Sequence, residues 1–159
     1  MRWRLFTRAE AALSEASARD AAAIARLHAA SFRRGWSDDE VERLIGERNV
    51  VTHRAASGAM LAGFIMSRLA AEEAEILSVA VARAYRGRGL ARRLLDLHLR
   101  RLAGLGCRAV FLEVDENNRA AIRLYDRAGF REVGRRDNYY PAAAPGQAVA
   151  ALVLRRDLG

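Results

Sequence analysis

An α/β fold is the architecture this sequence predicts, and three observations carry it. β-prone segments alternate with segments of helical periodicity along the whole chain, giving about seven strands and about four helices. Ile76 to Leu95 reads as strand, glycine-bearing turn and helix N-terminus in direct succession. The 159 residues form one domain's worth of sequence (1–159), enough for a single core burying roughly two thirds of the unfolded chain's surface.

The first half reads β-α-α-β-β-β. Ala11 to Ala16 supplies a short strand, and Asp20 is placed to cap a helix whose apolar face is Ile24, Leu27, His28 and Ser31 or Phe32. On that face His28 reads as a packed core histidine. Arg33-Arg34-Gly35-Trp36 breaks the pattern, and Ser37-Asp38-Asp39-Glu40 is then Ser-x-x-Glu, a capping box whose two side chains satisfy reciprocal backbone donors. The helix it opens turns Val41, Leu44 and Ile45 inward. Trp36, just before the cap, reads equally well as that helix's hydrophobic staple and as one wall of a substrate groove. Val50 to Arg54 and Met60 to Arg68, separated by a turn at Ser57-Gly58, predict an antiparallel hairpin. A polar bend, Ala70 to Glu73, leads into the strand Ile76 to Val81.

The second half reads α-β-α-β-β. The helix after the glycine turn places Leu90, Leu94 and Leu97 at i, i+4, i+7 spacing, and Gly104 and Gly106 end it. Cys107 falls at the entrance of the strand Ala109 to Val114, where a small buried thiol is the ordinary role. Asn117-Asn118 forms a turn and cap; Ala121, Leu124, Tyr125 and Ala128 then share one helical face before Gly129 stops the helix. Phe130 to Arg135 and Val149 to Leu154 are the closing strands, separated by an Asn138-Tyr139-Tyr140-Pro141 loop and an Ala/Pro/Gly stretch.

Composition bounds the function without choosing it. The formal charge is +8, carried by arginine, which suits a phosphate-bearing ligand, a ribosome or a nucleic acid alike. A single cysteine excludes an intrachain disulfide, and no metal site is expected. Met1 to Arg8 lacks a signal-peptide apolar core and no apolar run reaches membrane-spanning length, so the expectation is a cytoplasmic protein with no membrane partner.

The glycine turn is the first motif with chemistry in it. The opening turn of a helix has N–H groups without intrahelical partners, and the macrodipole adds positive character there, which favours a phosphate. Gly87 and Gly89 remove the Cβ atoms that would hold a ligand off the backbone, and Arg86 and Arg88 add charge. A Gly-x-Gly-x-x-Gly frame would place Arg92 at its third glycine, and the Gly-Lys-Ser/Thr of a P-loop is absent. What fits is Arg-x-x-Gly-x-Ala (Arg86, Gly89, Ala91) directly after Val79-Ala80-Val81. It resembles the acetyl-CoA pyrophosphate loop of the GCN5-related N-acetyltransferases, the GNAT family.

The second motif, Phe111-Leu-Glu-Val-Asp-Glu-Asn-Asn-Arg-Ala-Ala-Ile-Arg-Leu-Tyr-Asp-Arg-Ala-Gly-Phe130, is similar to that family's Glu-Val…Asn-x-x-Ala-Ile-x-Leu-Tyr-x-x-x-Gly-Phe signature. With Arg135-Arg136-Asp137-Asn138-Tyr139-Tyr140-Pro141 after it, the chain resembles in particular the ribosomal-protein-alanine (RimI) branch. The resemblance implies a single mixed, mostly antiparallel sheet with a V-shaped splay between its central strands. It implies acetyl-CoA as cosubstrate, a protein N-terminus such as that of a ribosomal protein as acceptor, and no direct nucleic-acid partner. Val79, Ala80 and Val81 would face the pantetheine arm, Arg86, Gly87, Arg88, Gly89, Leu90 and Ala91 would hold the pyrophosphate, and Asn118 would hydrogen-bond the cofactor. Trp36, Tyr139 and Tyr140 would wall the acceptor.

Acetylating an α-amine requires a base, because the amine is mostly protonated at neutral pH, and an acid, because a thiolate must leave. The resemblance assigns these to Glu113 and Tyr125. The plainer readings are a strand carboxylate paired with an arginine and a core aromatic, and for Asn118 a helix cap alone. The chain departs from the branch at Gly35-Trp36, where Pro-Trp is usual, and at Gly146-Gln147-Ala148, where Glu-Asp-Ala is usual; both fall on the acceptor side. Two other functions stay open here: acetylation of a free small-molecule amine, and a noncatalytic basic module for RNA or the ribosome.

Overall fold

In a computed structural model that describes residues 10–140 and 149–159, the side chains of 138–140 excepted, seven strands form one sheet. They are β1 (Ala12–Glu15), β2 (Val50–Ser57), β3 (Met60–Ala70), β4 (Glu73–Val81), β5 (Ala109–Asp115), β6 (Arg131–Tyr140) and β7 (Val149–Asp157), in the order β1-β2-β3-β4-β5-β7-β6. Four helices accompany them: α1 (Ala21–Ser31), α2 (Asp38–Gly46), α3 (Leu90–Gly104) and α4 (Arg119–Arg127). Every neighbouring pair is antiparallel except β4 and β5, which α3 connects. The predicted fold class, strand number and helix number all hold among the described residues.

The parallel pair is short. β4 and β5 are in register only from Glu73↔Ala109 to Ile76↔Leu112, although β4 continues to Val81 and β5 to Asp115. On its other side β4 stays paired with β3 to the end, Gly63↔Val81. The register between β3 and β4 slips at this same level, Met66 pairing Ser78 and Ser67 pairing Ile76, so Leu77 is the extra residue of a bulge. A bulge raises local twist and bends its strand. Here it turns β4 away from β5, and the central strands splay apart.

Strand alternation divides the core between two faces. Phe64 and Met66 of β3 pack with Ile24 of α1 and Val41 of α2, while Ile65 packs on the other face with Leu94, Leu95 and Leu99 of α3. α3 lies close because Gly63 has no side chain: a Cβ there would stand 3.0 Å from the Ala80 carbonyl oxygen and 3.1 Å from Leu94 Cδ1. α1 and α2 pack on β2 to β4.

Several local expectations hold in detail. Ser37 Oγ accepts from Glu40 N at 3.1 Å and Glu40 Oε2 from Ser37 N at 3.2 Å, the capping box of α2. His28 is buried, and its ring stacks on Trp36 with centroids 4.0 Å apart.

Others are corrected. Asp20 does not cap α1 with its side chain; its carboxylate accepts from Ser17 N at 2.8 Å and pairs with Arg54 at 2.8 Å, tying the helix entrance to β2. The buried face of α3 is Leu90, Leu94, Leu95, His98, Leu99 and Leu102, and Leu97 is only half-buried, because a stripe against a sheet is wider than one residue per turn. The closing strands run longer than their apolar cores: Asn138 to Tyr140 belong to β6 and not to a loop, held by Tyr140↔Val149. The residues from Pro141 to Ala148, including the Gly146-Gln147-Ala148 departure, and Met1 to Arg8 lie outside the described residues.

His98 is fully buried between α3 and the sheet, where its Nδ1 lies 2.7 Å from His53 Nδ1 of β2 and its Nε2 lies 2.6 Å from Ser67 Oγ of β3. Protonating both rings would put two N–H groups head to head. Burial pushes His98 down to about 3, with the nearby His53 adding to it, and burial also lowers His53. A histidine held neutral in the fold and free to charge when unfolded contributes stability that is complete above its ordinary value of about 6.5 and is lost as pH falls toward the folded value. Unfolding free energy is therefore expected to drop by about 2 kcal/mol between pH 8 and pH 5, read from urea midpoints. His98→Gln should flatten that slope while preserving the hydrogen bonds; a slope unchanged by the substitution would place the titrating group elsewhere.

Candidate active site

The glycine turn is held from both sides. A 3₁₀ turn, Arg83–Tyr85, follows β4, and Tyr85 is buried, anchoring the loop to the core. Arg86 folds back so that its Nε donates to the Val81 carbonyl at 3.0 Å. Gly87 and Gly89 then take φ of 77° and 76°, and Gly89 is the N-cap of α3. A Cβ at either would meet no protein atom within 4 Å. Glycine is thus required by the left-handed backbone, and the space above the loop stays open for a ligand.

That space is a cavity of about 410 Å³ between the loop and α4. The loop side carries Arg86, Gly87, Gly89 and Ala91; the α4 side carries Arg123, Leu124 and Arg127. Free N–H groups at the start of α3, two glycines and several guanidinium groups around one cavity suit a phosphate-bearing ligand. The unpaired edge of β4 beyond Ile76 leads into it, offering backbone groups to an extended chain. Val79, Ala80 and Val81 lie on that edge. The residues therefore fit a pyrophosphate with a long arm attached.

Glu113 and Tyr125 lie on opposite faces of the sheet at β5. Along β5, Val110, Leu112 and Val114 join the core shared with Tyr125 of α4, so Glu113 points to the other face. There it lines a cleft of about 310 Å³ together with Glu73, Glu75, Phe111 and Arg136. Its Oε1 lies 3.2 Å from Arg136 Nε, with the Glu113 side chain 20 % and the Arg136 side chain 59 % exposed. So open a pair is worth about 0–1 kcal/mol, and an incoming cation can compete for the carboxylate. Tyr125 is buried, edge-to-face with Phe130 at 5.5 Å, and burial pushes its hydroxyl up to about 12.

The predicted residues thus gather in two places. Val81, Arg86, Gly87, Gly89, Leu90 and Ala91 line the loop cavity, Val79, Ala80 and Arg88 do not, and Glu113 lines the cleft on the far face. Asn118 caps α4, its Oδ1 accepting from Ala121 N at 3.2 Å, which leaves its amide group to face solvent or a ligand. Trp36 is half-buried, belongs to the α1–α2 cluster, and is fixed by its backbone N–H donating to His28 Nδ1 at 3.1 Å. Tyr139 and Tyr140 sit in β6, their side chains outside the described residues. Sequence reading passed over Arg136, Arg123 and Arg127. In so arginine-rich a chain each looks like solvated surface, and the helical spacing of Arg123 and Arg127 was the available signal.

Residues 21–130 match the acetyltransferase (GNAT) family. An Escherichia coli [ribosomal protein bS18]-alanine N-acetyltransferase is 36% identical over 106 residues, 67% of this chain and 71% of that protein. An uncharacterized Mycobacterium leprae protein is 45% identical over 85 residues, 54% of this chain; the match spans only 22% of that protein's length. The crystal structure of the Escherichia coli ribosomal-protein-S18-alanine N-acetyltransferase superposes with a TM-score of 0.85 at 25% identity, covering 94% of each chain. Among the described residues no cluster of side chains could hold a metal ion, and no helix is long and apolar enough to cross a membrane.

The loop's backbone makes a direct test. Gly89→Ala forces a left-handed φ on a residue with a Cβ, which costs about 1–2 kcal/mol of stability. It should also weaken coenzyme A binding in calorimetry at least several-fold. Undiminished affinity would separate this loop from the ligand.

Proposed function

The chain belongs to the GNAT family of acetyltransferases, and on that premise we propose that it acetylates the N-terminal α-amine of a protein, one beginning with alanine or another small residue. It is an acetyl-CoA-dependent N-acetyltransferase. The ribosomal acceptor is supported by its relatives, which are named for the alanine of ribosomal protein bS18. The observation that supports the reading is the position of Glu113 on β5, one residue past Leu112, the last partner of β4, with Tyr125 packed on the opposite face.

Acetyl-CoA supplies the acyl group on a sulfur leaving group. The edge of Val79 to Val81 orients the arm, the backbone of Gly87 to Ala91 with Arg86 and Arg88 holds the pyrophosphate, and Asn118 donates its amide N–H to the cofactor. Trp36, Tyr139 and Tyr140 wall the acceptor's first residues; rigid aromatics lose little side-chain entropy in doing so. The α-ammonium displaces Arg136 from Glu113, whose carboxylate takes the amine's proton, directly or through one water. Tyr125 Oη keeps its proton at every working pH, because burial has raised its pKa, and so presents a donor to the departing sulfur. A phenol near 12 gives up that proton only to a thiolate desolvated as thoroughly as itself, since an exposed thiol sits near 8.5. The burial of Tyr125 supplies that environment on the phenol's side.

Thiol release from acetyl-CoA, with peptides differing only in their first residue set beside polyamines and aminoglycosides, tests the acceptor class. Preference for an alanine-starting peptide is expected; preference for a free amine would move the chain to small-molecule acetylation. Glu113→Gln should lower peptide turnover about a hundredfold at neutral pH with acetyl-CoA affinity nearly unchanged. A rate–pH profile identical to the parent's would remove Glu113 from proton transfer. Tyr125→Phe should slow thiol release by a comparable factor; equal rates would reassign the acid.

A further inference from the structure

The 410 Å³ cavity holds more positive charge than a pyrophosphate requires, and the excess lies on the wall opposite the loop. Of the loop-side arginines that line the cavity, Arg86 donates its Nε to the Val81 carbonyl, and Arg92 Nε is paired with Asp96 Oδ1 at 2.9 Å. The pyrophosphate is met there by backbone N–H groups at the start of α3 together with Arg86 and Arg88. On the α4 side Arg123 and Arg127 are exposed, one helical turn apart, and make no ion pair among the described residues. Arg119 continues the row toward the N-terminus of α4. Like charges at i, i+4 spacing disfavour a helix, and the cationic pair faces into a cavity with no acid to neutralise it.

We propose that Arg123 and Arg127 form a second anion subsite that takes the terminal phosphomonoester on the ribose of coenzyme A, apart from the pyrophosphate held by the loop. This rests on the acetyl-CoA reading above and adds a requirement to it. A phosphomonoester carries about two negative charges at neutral pH and three acceptor oxygens, and two guanidinium forks one turn apart can engage it with charge-assisted hydrogen bonds. The donor is then recognised at two phosphate positions, one on each wall of the cavity. A donor lacking the ribose phosphate keeps the first contact and loses the second.

Calorimetric titration of the full chain with coenzyme A and with 3′-dephospho-coenzyme A tests this. The parent protein is expected to bind coenzyme A at least about tenfold more tightly, the scale of one charge-assisted hydrogen bond. The Arg123→Gln/Arg127→Gln variant should lose that preference while binding the dephospho ligand as the parent does, which also reports that the variant is folded. Equal affinity of the parent for both ligands overturns the subsite, and so does a variant that weakens both ligands to the same extent. Failure of the parent to bind either ligand overturns the acetyl-CoA reading itself, a result distinct from loss of discrimination.

Discussion

The end of pairing between β4 and β5 at Ile76↔Leu112 is the constraint from which the site follows. Had the two parallel strands stayed in register to their ends, the backbone of Leu77 to Val81 would be consumed by the sheet. Unpaired backbone in a protein interior is costly unless something else satisfies it. An edge in the middle of a sheet therefore amounts to a binding surface, reached only by a ligand thin enough to enter between strands. The bulge at Leu77 makes the divergence local: β4 keeps its antiparallel partner β3 while turning from its parallel one.

Holding that gap open needs rigidity behind it, and the core supplies it through α3. The helix is pressed onto β3 at Gly63, and six of its side chains are buried against the sheet. His98 bonds across to β2 and β3 at once through His53 and Ser67. A buried polar network tolerates few alternative arrangements, because any shift leaves a donor or acceptor unpaired in a low dielectric. Eight residues before His98 on the same rigid rod, Leu90 begins the helix whose free N–H groups cap the glycine loop.

Much of this was legible in the residues themselves. Ser37-x-x-Glu40, the Ser57-Gly58 turn and Asn118 before its helix are local signals whose physics is complete within a few residues, and each appears as read. The two signatures around Gly89 and Glu113 were legible because strand, loop and helix follow one another directly. What escaped depends on contacts distant in sequence. Asp20 carries every mark of a helix cap, yet Arg54, thirty-four positions away, draws its carboxylate into an ion pair. His98 looks like a polar break in a leucine stripe until His53 and Ser67 stand beside it. Asn138 to Tyr140 read as a loop because asparagine and proline punctuate it, but β7 offers a partner and the strand continues.

The two sides of the gap also differ in charge, in the sense the reaction demands. The loop cavity is ringed by arginine, whereas the cleft on the opposite face carries Glu73, Glu75 and Glu113 against only Arg68 and Arg136. Both of those arginines are taken, Arg68 by Glu47 at 3.3 Å and Arg136 by Glu113 at 3.2 Å, so the balance of the cleft is acidic in a chain whose formal charge is +8. On the proposed reading, a polyanionic donor and a cationic amine would be drawn to different faces of one sheet, so that neither competes for the other's site. The same electrostatic division disfavours a nucleic acid on the cleft face, since Glu73 and Glu75 would confront its phosphates. An amine-bearing acceptor meets no such barrier there.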